Sequence, residues 1–154
     1  MVILQFVVVL LLVLLDQLTK LWTVDALDLY QSIPIIKDVF HITYAKNTGA
    51  AFSMLQGQTI FLIIVPIIAS LVMIHVLMSK RIKSKIGSWS LVLILAGAIG
   101  NLIDRLLAGA VVDMFDFTLI DFPVFNVADI CVTIGAVLFF IYAIFIYKPE
   151  KKDE

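Results

Sequence analysis

The sequence contains one cysteine and two histidines among its 154 residues. The single thiol, Cys131, excludes an intramolecular disulfide and any metal site built from several cysteines. Charged residues make up only 15% of the chain, below the roughly 25% of soluble domains, whereas apolar residues make up 62%. This composition predicts a membrane protein. No basic patch interleaved with aromatic residues appears, so nucleic acid is not an expected partner.

Several catalytic signatures are also missing. The chain has neither the H-E-x-x-H motif of zinc proteases nor the G-x-S-x-G elbow of serine hydrolases. Of the two histidines, His41 lies on a predicted strand and His75 lies deep in a predicted helix, so neither is expected to act as the base of a serine nucleophile. We expect no metal and no organic cofactor.

Four apolar stretches reach the length of about 20 residues that a helix needs to cross a bilayer. They cover residues 2–22, 59–78, 89–107 and 126–147. The first stretch lacks a basic leader and an A-x-A-like cleavage site, which favours a retained helix over a removed signal. The sequence therefore predicts an all-α membrane protein, with residues 1–154 forming one domain around a bundle of four transmembrane helices.

Basic residues flank these helices unevenly. They occur between the second and third helices and after the fourth, at Lys80, Arg81, Lys83, Lys85, Lys148, Lys151 and Lys152. The positive-inside rule places both regions in the cytoplasm. Both chain termini are then cytoplasmic, and the connectors 23–58 and 108–125 lie outside.

With this topology, the polar residues of three helices reach the same depth near the outer face. They are Asp16, Lys20, Asn101, Asp104, Arg105, Asn126 and Asp129. Spacings of three and four residues put the members of each helix on one face. A single polar cluster inside the bundle accounts for this pattern. Asp16–Lys20 and Asp104–Arg105 could equally be structural ion pairs that hold helices together.

The outer connectors carry extended structure. Apolar and polar residues alternate from Val39 to Ala45, which predicts a strand, and Asn47-Thr48-Gly49 predicts a turn. A short interfacial helix is expected from Ala50 to Leu55. The β-rich segment 111–120 could pair with the first strand, giving a small extracytoplasmic sheet.

Asp113 lies in the second outer connector and Asp129 at the start of the helix that follows it, and neither has an obvious cation of its own. Two close carboxyl groups that share one proton can act as an acid and a base toward an activated water. The separation of 16 positions allows the two residues to meet but does not force them to. A transporter or proton-relay subunit remains an alternative, as does a scaffold, although a relay should cross the bilayer and these polar residues stop on one side.

Five short motifs in this chain resemble those of the bacterial lipoprotein signal peptidases, also called signal peptidase II. They span nearly the whole chain: DQLTK at 16–20, KNTGAAFS at 46–53, GNLIDR at 100–105, VVDMFD at 111–116 and FNVAD at 125–129. The resemblance implies an aspartic endopeptidase of the bacterial cell membrane with its active site near the outer face. Its substrate is a prolipoprotein, cleaved just before a diacylglyceryl-modified cysteine.

The resemblance also implies residue roles. Asp113 and Asp129 are the expected catalytic pair, and Asp16, Lys20 and Asp104 are expected to support the site. The expected substrate-binding residues are Asn47, Gly49, Asn101, Arg105 and Asn126. The family further implies a monomer in membrane lipid, with globomycin-like cyclic peptides as inhibitors.

Overall fold

The computed structural model describes residues 1–49 and 58–147. Within these ranges, four helices are long and apolar enough to cross a membrane. They are α1 (Val2–Ala26), α2 (Thr59–Met78), α3 (Lys85–Ala108) and α4 (Val127–Ile141), the last of which continues into a π-helical turn at Tyr142–Ile146. Three strands, β1 (Ser32–Ile36), β2 (Phe40–Asn47) and β3 (Val111–Asp116), form one antiparallel sheet. The predicted four-helix membrane fold with a small sheet is therefore confirmed.

Local signals explain where α3 begins and ends. The helix starts four residues before the predicted position because the Ser84 hydroxyl caps it, accepting a hydrogen bond from the Gly87 amide at 3.4 Å. It stops where Gly109 adopts a φ of 71°, a left-handed conformation that glycine takes without steric cost. The α2 bounds agree with the prediction, whereas α1 continues to Ala26.

Helix α3 lies at the centre of the bundle and contacts α1, α2 and α4. Half of its membrane-length stretch is buried, against about a fifth in each of the other three helices. Gly97 lets α4 approach closely, because a Cβ atom at this position would collide with the Ala128 carbonyl oxygen. A Cβ at Gly100 would lie 2.6 Å from Asp16 Oδ2. These two glycines thus bring the first turn of α4 and the polar part of α1 against α3.

The sheet has the order β1-β2-β3. Strands β2 and β3 pair as predicted, with Ala45 opposite Asp113. The β-rich segment 111–120 is a strand only as far as Asp116, and a 3₁₀ turn follows at Thr118–Ile120. Strand β1 was not predicted. It contains a proline, which is tolerated because β1 is an edge strand. The short helix predicted from Ala50 to Leu55 lies outside the described residues.

Candidate active site

The first turn of α4 carries the central asparagine of the site. Asn126 is the N-cap: its side-chain oxygen accepts a hydrogen bond from the Asp129 amide at 2.9 Å, and the Asp129 carboxylate accepts one from the Asn126 amide at 3.2 Å. This reciprocal capping box satisfies two amides that a helix start leaves free. A third amide, that of Ala128, donates to Asp16 Oδ1 at 2.8 Å. The turn that bears Asp129 is therefore fixed from both sides.

Asn126 also reaches the second aspartate. Its side-chain NH₂ donates to Asp113 Oδ1 at 2.7 Å. Asp113 projects from β3 and is only 2% exposed. The structure thus brings Asp113 and Asp129 to one residue, although they are 16 positions apart in the chain.

The Asp129 carboxylate receives a donor on each oxygen. Its Oδ1 accepts from the Asn101 side-chain amide at 2.7 Å, and its Oδ2 accepts from the Asn126 backbone amide at 3.2 Å. Neither donor can accept a proton from a carboxylic acid. These two hydrogen bonds favour the ionised form of the carboxylate.

Asp113 has a different environment. Burial raises the pKa of Asp113 to about 7, and the neighbouring Asp129 carboxylate adds to the rise. Hydrogen bonds from Asn126 and Asn47, together with the positive charge of Lys20, oppose it. Near neutral pH, a large fraction of Asp113 therefore carries a proton.

A buried ionic group lies behind the two aspartates. The Lys20 ammonium pairs with Asp16 Oδ2 at 2.9 Å and with Asp104 Oδ2 at 3.0 Å, and it donates to Asn101 Oδ1 at 3.0 Å. The Asp16–Lys20 pair was anticipated from its spacing. Asp104 pairs with Lys20 and not, as the sequence suggested, with Arg105.

Arg105 instead connects α3 to the loop that follows β2. Its guanidinium donates to the Gly49 carbonyl at 2.8 Å and to the Asn101 carbonyl at 3.3 Å. The Gly49 amide donates to Asn47 Oδ1 at 2.9 Å, which forms the predicted turn. Arg105 thus fixes the turn at Asn47–Gly49 that follows β2.

A cavity of about 650 Å³ opens over these groups. Its polar lining residues include Asn47, Asn101, Arg105, Asp113 and Asp129. The remainder is mostly apolar, with Phe122, Val124, Phe125, Ile130, Val132 and Ile134 among its lining residues. Such a cavity suits a ligand that joins a polar backbone to apolar chains.

The predicted site residues therefore meet at one end of the bundle. Gly49 and Asn126 bond directly to residues that line the cavity, and Asp16, Lys20 and Asp104 lie behind it.

Gln17 was not predicted to belong to the site. Its side-chain amide donates to Asp104 Oδ1 at 2.9 Å and to the Gly100 carbonyl at 3.2 Å. Its polar side chain within an apolar helix was the sequence feature that could have indicated this role. Among residues 1–49 and 58–147, no three acidic, histidine or cysteine side chains are placed to hold a metal ion.

Comparison with known proteins gives consistent matches over nearly the whole chain. The family model described as "Signal peptidase (SPase) II" matches residues 8–145. The "Lipoprotein signal peptidase" of Clostridioides difficile (strain 630) is 43% identical over 148 residues, covering 96% of this chain and 99% of that protein. The protein of the same name from Halothermothrix orenii is 45% identical over 147 residues, covering 95% and 97%. A solved structure described as a bacterial membrane enzyme superposes with a TM-score of 0.85 at 32% identity, covering 97% of this chain and 92% of that one.

Proposed function

This chain belongs to the signal peptidase II family, and we propose that it cleaves diacylglyceryl-modified bacterial prolipoproteins immediately before the lipidated cysteine by aspartic catalysis. As a member of that family it is a multi-pass membrane peptidase that removes lipoprotein signal peptides. Asp113 and Asp129 are the proposed catalytic residues. The observation that carries the aspartic mechanism is their shared contact with Asn126 at the wall of one cavity.

The different surroundings of the two carboxyl groups support different roles. Asp129, with an N–H donor on each oxygen, is the proposed base. Asp113, whose pKa is raised to about 7, is the proposed acid. An aspartic dyad needs this state, in which one group is protonated and its partner is ionised.

The proposed reaction has two steps. Asp129 removes a proton from a water molecule as the water oxygen attacks the scissile carbonyl carbon, and Asp113 gives its proton to the carbonyl oxygen. In the resulting tetrahedral diol the C–N bond then breaks. The leaving nitrogen takes the proton held by Asp129, and a diol hydroxyl returns a proton to Asp113. The products are a carboxylic acid and an amine, and both aspartates regain their starting states.

The shape of the cavity supports a lipid-modified substrate. Arg105 and the side-chain amides of Asn47 and Asn101 lie where they can bind peptide carbonyls. The apolar part, with Phe122, Ile130 and Ile134, can receive acyl chains continuous with the bilayer. A globomycin-like cyclic peptide is expected to compete for the same cavity, and we propose that the enzyme acts as a monomer.

Charge distribution supports the proposed orientation. Lys80 and Arg81 follow α2 and Lys85 begins α3, at the end of the bundle opposite the cavity. By the positive-inside rule we propose that this end is cytoplasmic, that the active site lies near the outer face of the bacterial cell membrane, and that both termini are inside.

Among the described residues, the buried charged side chains all lie at the cavity end of the bundle, which does not favour the competing proton-relay function. Such a relay needs polar groups in sequence across the bilayer. The middle of the bundle is instead a core of packed apolar side chains, which includes Val9, Val13, Met73, Val92 and Leu95.

A processing assay tests the proposed function. Purified enzyme is mixed with a diacylglyceryl-modified prolipoprotein, and release of the signal peptide is followed as a gel shift. We expect Asp113→Asn and Asp129→Asn each to abolish the shift. Asp121→Asn is the matched control, because Asp121 is an exposed aspartate of the same connector and should leave the rate unchanged. Normal processing by either dyad variant rejects the mechanism.

A further inference from the structure

The side chain of Lys20 is almost completely enclosed at the back of the site. It is 3% exposed, and its ammonium has three oxygen partners: Asp16 Oδ2 at 2.9 Å, Asp104 Oδ2 at 3.0 Å and Asn101 Oδ1 at 3.0 Å. An ammonium carries three N–H donors and no acceptor. All three donors are therefore used. One of them bonds to the uncharged side-chain amide of Asn101, which in turn contacts Asp129.

This contact dictates which way the Asn101 amide faces. Asn101 Oδ1 accepts from Lys20 and, at 3.1 Å, from the Asn126 side-chain NH₂. Both partners are donors only at these atoms, so a flipped amide would place its own NH₂ against two other donors. The Asn101 NH₂ must therefore point the other way, where it donates to Asp129 Oδ1 at 2.7 Å.

A second connection runs through Asp16. One oxygen of this carboxylate pairs with Lys20, and the other accepts from the Ala128 amide in the first turn of α4. Lys20 is thus connected to Asp129 both by the Asn101 side chain and by the backbone of the helix that carries Asp129.

We propose that Lys20 is a positioning residue for the dyad: its ammonium orients Asn101 as a donor to Asp129, and its charge sets the pH range in which the pair holds a single proton. This inference rests on the aspartic mechanism proposed above. It assigns Lys20 an electrostatic role in addition to holding helices together.

The charges around Lys20 fix the sign of the expected effect. Two carboxylates pair with Lys20 directly, Asp16 on α1 and Asp104 on α3. Two further acidic residues, Asp113 on β3 and Asp129 on α4, feel its charge at longer range. The Arg105 guanidinium on α3 is the other cation near these carboxyl groups. The pairs with Asp16 and Asp104 reduce the field of Lys20 at the dyad without cancelling it. The Lys20 charge lowers the pKa of Asp113, so its removal raises that pKa further.

The test compares pH profiles of kcat/KM. Lys20→Met, which is close in shape but uncharged, should lower kcat at neutral pH and move the alkaline limb upward by about one pH unit, the lower end of the effect of a nearby cation. Lys20→Arg keeps the charge and should keep the wild-type midpoint at a reduced rate. Lys37→Met removes an equal charge from the exposed β1–β2 turn and should change neither quantity.

Lys20→Met leaves Asp104 without its cation and could fail to fold, so a second variant is needed. Lys20→Met combined with Asp104→Asn keeps the net charge of the Asp16–Lys20–Asp104 group at −1. It should shift the limb in the same upward direction but by less than Lys20→Met, because loss of the Asp104 charge acts in the opposite sense. A rate that falls equally at every pH, with an unmoved limb and a lower melting temperature, shows that Lys20 is structural only and overturns the proposal.

A measurement without substrate separates this proposal from the proposed function. The ¹³C resonance of the Asp113 carboxyl group can be titrated in detergent micelles, in wild type and in the double variant. A midpoint raised in the variant supports the role of Lys20 even if no prolipoprotein is cleaved. An unchanged midpoint refutes the electrostatic role even if wild type processes its substrate normally.

Discussion

Asp113 and Asp129 are held by opposite parts of one residue: the side-chain NH₂ of Asn126 donates to Asp113, and its backbone amide donates to Asp129. Because the same side chain also caps α4, the geometry of the dyad and the start of the helix depend on each other. The strand that carries Asp113 and the helix that carries Asp129 therefore cannot shift independently.

Replacement of Asn126 should separate these two effects. Asn126→Ala removes the cap and the bond to Asp113, so we expect a loss of about 1 kcal/mol in stability and a fall of about 100-fold in kcat. Asn126→Ser restores the cap but is too short to reach Asp113. It should recover the melting temperature and leave kcat low, and recovery of both by serine would contradict the bridging role.

The pKa of Asp113 predicts the alkaline limit of activity. The proposed mechanism needs Asp113 protonated, and its pKa is about 7. The value of kcat/KM should therefore fall about tenfold for each pH unit well above 7. A profile measured with constant ionic strength checks this. A rate that stays constant to pH 9 would contradict the assignment of Asp113 as the acid.

The same raised pKa has a consequence for stability. Between about pH 4, where a free aspartate titrates, and pH 7, the folded state keeps a proton on Asp113 that the unfolded state has lost. Stability from this group is therefore complete below that window and declines as pH rises through it. Asp113→Asn removes the titration, so its melting temperature should exceed that of wild type at pH 8 and approach it at pH 4. Equal differences at both pH values would argue against a buried, protonated Asp113.

Close packing of α3 against α4 should be sensitive to a single methyl group. Gly97→Ala places a Cβ against the Ala128 carbonyl oxygen and should cost roughly 1–3 kcal/mol, with loss of activity as the first turn of α4 moves. Gly109→Asn is the control, because no heavy atom lies within 4 Å of a Cβ there and asparagine tolerates the left-handed conformation. Thermal unfolding of both variants in detergent provides the comparison.

Arg105 is expected to shape the substrate cavity because its guanidinium donates hydrogen bonds from two nitrogens at once. The guanidinium reaches both the Gly49 and the Asn101 carbonyls, which a lysine cannot bridge in the same way. Arg105→Lys should raise KM for the prolipoprotein more than it lowers kcat. Arg81→Lys, at an exposed position beyond α2, should leave both constants unchanged. An unchanged KM in Arg105→Lys would show that this contact does not shape the substrate cavity.

The sequence was most informative where a local rule applies. Hydropathy located the four long helices, and alternation located β2. Strand β1 was not predicted: it contains a proline, and it pairs with β2 at the edge of the sheet. The proximity of Asp113 and Asp129 could not be derived from their spacing in the sequence. It depends on the close contact that Gly97 allows between α3 and α4 and on the pairing of β3 with β2. The bond from the Ala128 amide to Asp16 joins residues 112 positions apart and had no local signal.

The single-turnover rate of bond cleavage, measured with substrate binding in the same samples, tests the aspartic dyad most directly. The dyad predicts that Asp113→Asn and Asp129→Asn both bind a diacylglyceryl-modified prolipoprotein and both cleave it at least about 10³-fold more slowly than wild type. Cleavage by either variant within tenfold of the wild-type rate would contradict it.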